Sequence, residues 1–245
     1  MRRFGLIGYP LSHSFSPAYF AEKFHKERYS DYLYEAFPIK SVEELTSLLT
    51  NNPDLEGLNV TIPYKKDVLP FLHYSTEAVK QMGACNCIKI KNRILTGYNT
   101  DVTGFEKSLL TNLTSAHNKA LILGTGGAAA AVEFVLKKSG IDFLFVSRNS
   151  QTGKSILTYK EVSGEILNEY KLIINTTPLG MHPYVNDCPD ILYESLTKDH
   201  YLYDLIYNPA QTLFLKKGAE KGAITKNGSD MLIIQAEESW KIWNE

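Results

Sequence analysis

The stretch "LNVTIPYKKDV" (58–68) alternates apolar Leu58, Val60 and Ile62 with polar Asn59 and Thr61, stops at Pro63, and runs into Lys65 and Lys66. That alternation is the period of a half-buried strand. An amine held at a strand end can give a proton to a reacting oxygen and take it back. The competing reading of Lys65 is a solvated charge at a helix start. A second stretch, "LILGTGGAAAA" (121–131), places Gly124, Gly126 and Ala129 in a G-x-G-x-x-A arrangement between a strand pattern and a helix pattern. Gly124 permits the tight turn, Gly126 lets the backbone approach a pyrophosphate, and Ala129 keeps the helix close to the sheet. The helix N-terminus then offers unpaired N–H groups to the phosphates. The next strand ends in Ser147, Arg148 and Asn149, where NAD sites place an acidic residue. A guanidinium pairs with a 2′-phosphate that a carboxylate would repel, so NADP(H) is expected over NAD(H). The alternatives are a chance glycine-rich turn and a surface arginine.

These residues must be positioned by a chain of 245 residues, long enough for one large domain or two modest ones. It is 44% hydrophobic and 22% charged, the balance of a globular protein. A net charge of −1 supplies no basic field for nucleic acid or an anionic membrane, and neither is expected as a partner. Cys85, Cys87 and Cys188 fit neither a disulfide framework nor a zinc site, so no metal is expected. The start lacks a signal-peptide pattern, and no run supplies the roughly 20 apolar residues of a membrane span. A cytoplasmic protein is the expectation.

Strand and helix patterns alternate throughout, which predicts an α/β fold. In the first hundred residues "RFGLIGY" and "YLYEAFPI" read as strands, and "SPAYFAEKFHKERY" as a helix capped by Ser16 with Pro17 at its first position. "SVEELTSLLTNN" opens on a capping box of Ser41 with Glu44. "KKDVLPFL" and "STEAVKQMG" read as helices, and "CNCIKIK" and "RILTGYN" as strands around Asn92. In the second half "KALILG" has the continuous apolar character of a strand buried on both faces. The helix "AAAAVEFVLKKSG" follows, then strands in "DFLFVSR", "KLIINTTP", "HYLYDLIY" and "ITKNG". No element is assigned between Asn149 and Lys171. "NPAQTLFLKKGAEKG" reads as a helix with Pro209 near its start, and the last segment sets Leu232, Ile233, Ala236, Trp240 and Trp243 at helical spacing.

"GYPLSHSFSP", "NVTIPYK", "GACNCI", "GYNTD", "GTGGAA", "NTTPLGM" and "GSDMLIIQA" occur in this order from end to end of the chain. Together they resemble the shikimate dehydrogenase family. The resemblance implies two α/β domains with a cleft between them: a substrate-binding catalytic domain over 1–101, with helix 231–245 packing back on it, and an NADP-binding Rossmann domain over 102–230. It implies NADPH-dependent reduction of 3-dehydroshikimate to shikimate. Lys65 follows the family's N-V-T-x-P-x-K pattern as the proton-transferring residue, and Asp101, closing "GYNTD", is its implied partner. A free lysine titrates near pH ~10.4; burial favours the neutral amine and a carboxylate neighbour the ammonium. Asp101 reads equally as a helix N-cap. By the same resemblance Ser14 and Ser16 hold the substrate carboxylate with Tyr207, while Asn59, Thr61, Asn86, Asp101 and Gln235 meet its ring hydroxyls. Short groups that both donate and accept suit a polyol. Ser16, Asn86 and Gln235 have plain structural readings too, as a helix cap, a strand-end amide and a solvated helix residue. The cofactor set is Gly124, Thr125, Gly126, Gly127 and Ala128, with Ser147, Arg148 and Asn149 toward the adenosine end. Thr176, Leu205 and Gly228 lie toward the nicotinamide. His13 reads as a loop histidine.

Three departures from the family stand out. Ser147-Arg148-Asn149 replaces Asn-Arg-Thr; Ser229 and Asp230 replace a Leu-Gly pair, with Asp230 a candidate cap of the last helix; and the segment after Asn149 is short. A quinate dehydrogenase of the same superfamily using NAD is one alternative, and a nucleotide-binding regulatory module without turnover is another. A monomer or homodimer is compatible with the sequence.

Overall fold

The structure, a computed structural model, describes residues 1–12, 14–149 and 156–245; His13 lies outside the described residues. By packing, the chain divides into two compact units, Met1–Thr103 with Leu232–Glu245, and Gly104–Met231.

The first unit runs β1 (Arg2–Gly8), α1 (Phe15–Lys26), β2 (Tyr32–Pro38), α2 (Glu44–Asn51), β3 (Leu55–Val60), β4 (Tyr74–Ser75), α3 (Glu77–Met82), β5 (Cys87–Lys91) and β6 (Ile94–Tyr98), and then enters α4 (Thr100–Leu110). Its sheet has the order β2-β1-β3-β5-β6-β4. β1 is parallel to both neighbours and buried from Phe4 to Gly8, as expected of a strand covered on both faces. β5 runs antiparallel to β3 and β6. The ends of β1, β3 and β6 and the start of β5 therefore meet at one edge of the sheet.

The second unit continues β7 (Lys119–Leu123), α5 (Gly127–Lys138), β8 (Asp142–Ser147), β9 (Ile156–Thr158), α6 (Gly164–Glu169), β10 (Leu172–Asn175), β11 (Tyr201–Asp204), α7 (Leu213–Glu220) and β12 (Ile224–Lys226), and α8 (Ser229–Asn244) closes the chain. Its strands are all parallel in the order β12-β11-β10-β7-β8-β9, the doubly wound dinucleotide-binding arrangement. Leu121, Leu123, Ile173, Leu202 and Phe214 form its core.

Several local expectations are corrected. Ser14, not Ser16, is the N-cap of α1, because Pro17 sits in the first turn rather than at its first position. β3 starts at Leu55 and ends at Val60, and Ile62 is 73% exposed. Thr61 still donates to the Ile7 carbonyl, but Pro63 has no N–H and the chain turns there. "KKDVLPFL" makes turns and a 3-10 turn at Leu69–Phe71 rather than a helix. The Ser41 box is half formed: the Glu44 carboxylate accepts the Ser41 N–H, while the Ser41 hydroxyl turns to Glu43 and the helix begins at Glu44. α7 starts after Thr212, whose hydroxyl accepts from Leu215, and not near Pro209. Residues 156–169, left unassigned by pattern, hold β9 and α6, each too short to show a period.

The residues of α8 from Leu232 onward pack within the first unit. Trp243 stacks on Phe4 with ring centroids 4.9 Å apart, and its indole N–H donates to the Ile88 carbonyl at 3.0 Å. A Cβ on Gly57 would stand 2.3 Å from the indole nitrogen, so only glycine lets the ring lie on β3. Trp240 lies among Phe24, Tyr29 and Tyr32, with the Lys23 ammonium 5.8 Å from its ring centroid and paired with Glu237. Trp243→Ala should therefore cost about 3–5 kcal/mol, a large-to-small change at a buried aromatic. Urea unfolding checks this, with a lower midpoint expected at unchanged slope.

Candidate active site

Lys65 sits in the turn after β3, fixed by its carbonyl, which accepts the Cys85 N–H at 2.7 Å. Its Nζ lies 2.6 Å from Asp101 Oδ2, with side-chain exposures of 33% and 16%. Asp101 is in the first turn of α4 but does not cap it: the Asn99 side-chain oxygen accepts the Val102 N–H at 3.4 Å and fills that role. A carboxylate near the positive end of a helix is favourably placed, and here it also fixes an ammonium. The pair is half shielded from water, one nitrogen on one oxygen, so the ammonium keeps donors for a further acceptor.

Asn86 is buried just before β5, and its amide carbonyl accepts the Thr100 N–H at 2.7 Å while its N–H₂ donates to the Thr100 hydroxyl at 3.1 Å. It thus holds the start of the helix that carries Asp101. A second network joins residues far apart in sequence. The Tyr34 phenol on β2 donates to Asn59 Oδ1 on β3 at 2.8 Å. The Asn59 N–H₂ donates to Ser239 at 2.9 Å, and Ser239 donates to the Gln235 carbonyl at 2.9 Å. Burial raises the Tyr34 pKa far above its ordinary value, so the phenol stays a donor. Thr61 packs its methyl on Gly8, where a Cβ would come within 2.4 Å. Ser14 donates its backbone N–H to Leu11. Tyr207 belongs to the second unit, where it is 40% exposed.

In the second unit, Gly124 has φ +104° and a Cβ there would meet the Thr176 hydroxyl at 2.8 Å. Thr176 donates that hydroxyl to the Leu123 carbonyl at 2.7 Å, which closes the loop after β10 onto the end of β7. Thr125, Gly126, Gly127 and Ala128 are exposed, Ala129 is buried against the sheet, and a Cβ on Gly126 or Gly127 would meet nothing within 4 Å. An open cradle at the start of a 12-residue helix fits a pyrophosphate. Arg148 and Asn149 are exposed beyond β8, and Ser147 pairs with Thr158. Gly228 is buried, and a Cβ there would stand 2.2 Å from the Leu205 carbonyl oxygen. Asp230 pairs with Lys226 at 2.7 Å in the first turn of α8. Among the described residues no group of three or more His, Cys, Asp or Glu could hold a metal ion, and no helix is long and apolar enough to cross a membrane.

Tyr34, Asn99 and Ser239 were not singled out from sequence. Ser239 follows Gln235 by one helical turn and Asn99 precedes a helix start, so both carried a signal. Tyr34 carries none, because its role depends on Asn59 of β3, two places away in the sheet.

Residues 6–88 match the family model for the shikimate dehydrogenase substrate binding domain. A shikimate dehydrogenase (NADP+) from Carboxydothermus hydrogenoformans is 39% identical, covering 98% of this chain and 90% of its own. The crystal structure of shikimate dehydrogenase from Aquifex aeolicus superposes with a TM-score of 0.85 at 33% identity, covering 100% of this chain and 92% of that one. The shikimate 5-dehydrogenase from Thermus thermophilus, solved in complex with NADP(H) and shikimate, gives a TM-score of 0.84 at 29% identity over 99% and 93% of the two chains. Identity at this level over nearly the whole length, on two sheets that end at a lysine–aspartate pair and at a glycine loop, makes the chain a member of the shikimate dehydrogenase family.

Proposed function

We propose that this protein catalyses the reversible NADP(H)-dependent interconversion of 3-dehydroshikimate and shikimate, with Lys65 as the proton-transferring residue and Asp101 as its partner. The observation that carries this reading is the 2.6 Å Lys65–Asp101 pair. When bound, NADPH supplies the hydride that adds to the ring carbonyl carbon. Lys65 gives the proton that the resulting oxygen needs, and in the oxidative direction its neutral amine takes that proton back. Asp101 orients the ammonium and accepts from a ring hydroxyl. Ser14 and Ser16, with Tyr207, hold the substrate carboxylate through neutral donors, and Asn59, Thr61, Asn86 and Gln235 meet the hydroxyls. Residues 1–101 with 231–245 serve as the substrate domain, and residues 102–230 hold the cofactor.

The cradle at Gly124, Thr125, Gly126, Gly127 and Ala128 takes the pyrophosphate, and Ser147, Arg148 and Asn149 take the adenosine 2′-phosphate. Thr176, Leu205 and Gly228 shape the nicotinamide end. The protein acts in the cytoplasm on a small molecule, as a monomer or homodimer, and a net charge of −1 supplies no basic field for a nucleic-acid partner.

Steady-state oxidation of shikimate and of quinate, each with NADP+ and with NAD+, tests the proposal. Shikimate with NADP+ is expected to have the highest kcat/KM; faster quinate oxidation with NAD+ overturns the assignment. Arg148→Ala should raise KM for NADPH by roughly 10–100-fold, the loss of one charge-assisted contact, and leave NADH turnover unchanged. Equal losses with both cofactors contradict a 2′-phosphate contact.

A further inference from the structure

Asp204 ends β11 with its side chain fully buried, and among the described residues no Lys, Arg or His forms an ion pair with it. All its partners are neutral donors. Oδ1 accepts from Asn175 Nδ2 at 3.0 Å and from the Ile206 N–H at 3.1 Å, and Oδ2 accepts from the Thr212 hydroxyl at 2.6 Å. The donors come from three different segments: the end of β10, the loop after β11 and the start of α7. Asn175 in turn accepts from the Thr177 N–H at 3.0 Å and hydroxyl at 2.7 Å, so it shapes the loop after β10. Ile206 follows Leu205 in the loop after β11, and its carbonyl accepts the Gly228 N–H at 3.0 Å. Thr212 caps α7.

A buried carboxylate without a countercharge is costly, and burial lifts this one from 3.8 to about 6. An asparagine would fill the same space with less desolvation. It could not accept from all three donors, because one of its two ends is itself a donor. Only the ionised acid fixes the direction of every bond at this junction.

We propose that Asp204 is a positioning residue for the cofactor: its carboxylate ties the loops after β10 and β11 and the start of α7 into one piece, setting the backbone at Thr176, Leu205 and Gly228. The proposal deepens the reading given under Proposed function and rests on it for the identity of the ligand.

Asp204→Asn tests it in the full chain. The Kd for NADPH, read from quenching of protein fluorescence, should rise about tenfold, and KM for shikimate should change less than twofold. The thermal midpoint should stay near that of wild type, because the loss of a buried charge offsets the loss of one acceptor. A lower midpoint with unchanged NADPH Kd identifies a merely structural residue and overturns the proposal. If Asp204→Asn does not fold, Thr212→Val should show the same weakened NADPH binding and Thr212→Ser should restore it; NADPH Kd unchanged in Thr212→Val overturns the proposal. Amide exchange at Thr177, Ile206 and Leu215, measured without cofactor, should quicken at least tenfold in Asp204→Asn while Leu121–Leu123 stay protected. Unchanged exchange overturns the tie itself. Wild-type protein that binds neither NADPH nor NADH refutes the proposed function instead, with the exchange result standing apart.

Discussion

Lys65→Ala lowers kcat for shikimate oxidation by roughly 10²–10⁴-fold, the contribution of a positioned general acid–base group. This corresponds to about 3–5 kcal/mol of barrier. The Kd for NADPH stays within twofold, because the glycine cradle and Arg148 belong to the other compact unit. KM for shikimate changes little, since the amine's task is a proton and not the ground-state hold on the ring. The fold tolerates the change: Lys65 is held through its backbone carbonyl by Cys85, a bond that alanine keeps. Stopped-flow and steady-state rates at saturating cofactor separate these terms. A kcat within a few-fold of wild type would mean that the ion pair is only structural.

Asp101→Asn lowers kcat as well, by roughly 10–10³-fold, but with a different signature. Asparagine keeps the shape and one acceptor for the Lys65 ammonium, and loses the charge that fixes it at 2.6 Å. Because Asp101 also meets a ring hydroxyl in the proposed arrangement, KM for shikimate should rise together with the fall in kcat. Removing a carboxylate from the first turn of α4 costs stability too, of order 1 kcal/mol. The two variants together distinguish a proton carrier from its partner. A large KM effect in Lys65→Ala with none in Asp101→Asn would reverse the roles.

Much of this was legible in the sequence because the determining signals are local. Continuous apolar runs at Ala120–Leu123 and Leu172–Ile174 mark strands buried on both faces, and the glycine loop sits where one of them ends. The Lys65–Asp101 pair came from a likeness to family motifs, and no periodicity could have brought those two residues together. What escaped was set by partners distant along the chain. Ser16 reads as a cap in sequence, yet Ser14 occupies that position and Ser16 lies in the first turn of α1. Asp101 looked like a cap as well, and Asn99 takes that role because it stands just outside the first helical residue. Asp204 reads as the polar end of "YLYDLIY"; its burial depends on Asn175 and Thr212 folding over it. The trimmed stretch after Asn149 carried too little chain to show a pattern, and residues 150–155 lie outside the described part.

Chemical rescue of Lys65→Ala addresses the central claim most directly. Lys65 is one-third exposed, so a small primary amine can reach the space left by its side chain. If the amine moves the proton, turnover should climb in proportion to added methylamine or ethylamine, with no such response in wild type or in Arg148→Ala. Near-normal turnover without any added amine, or a folded, cofactor-binding variant that no amine revives, would contradict it.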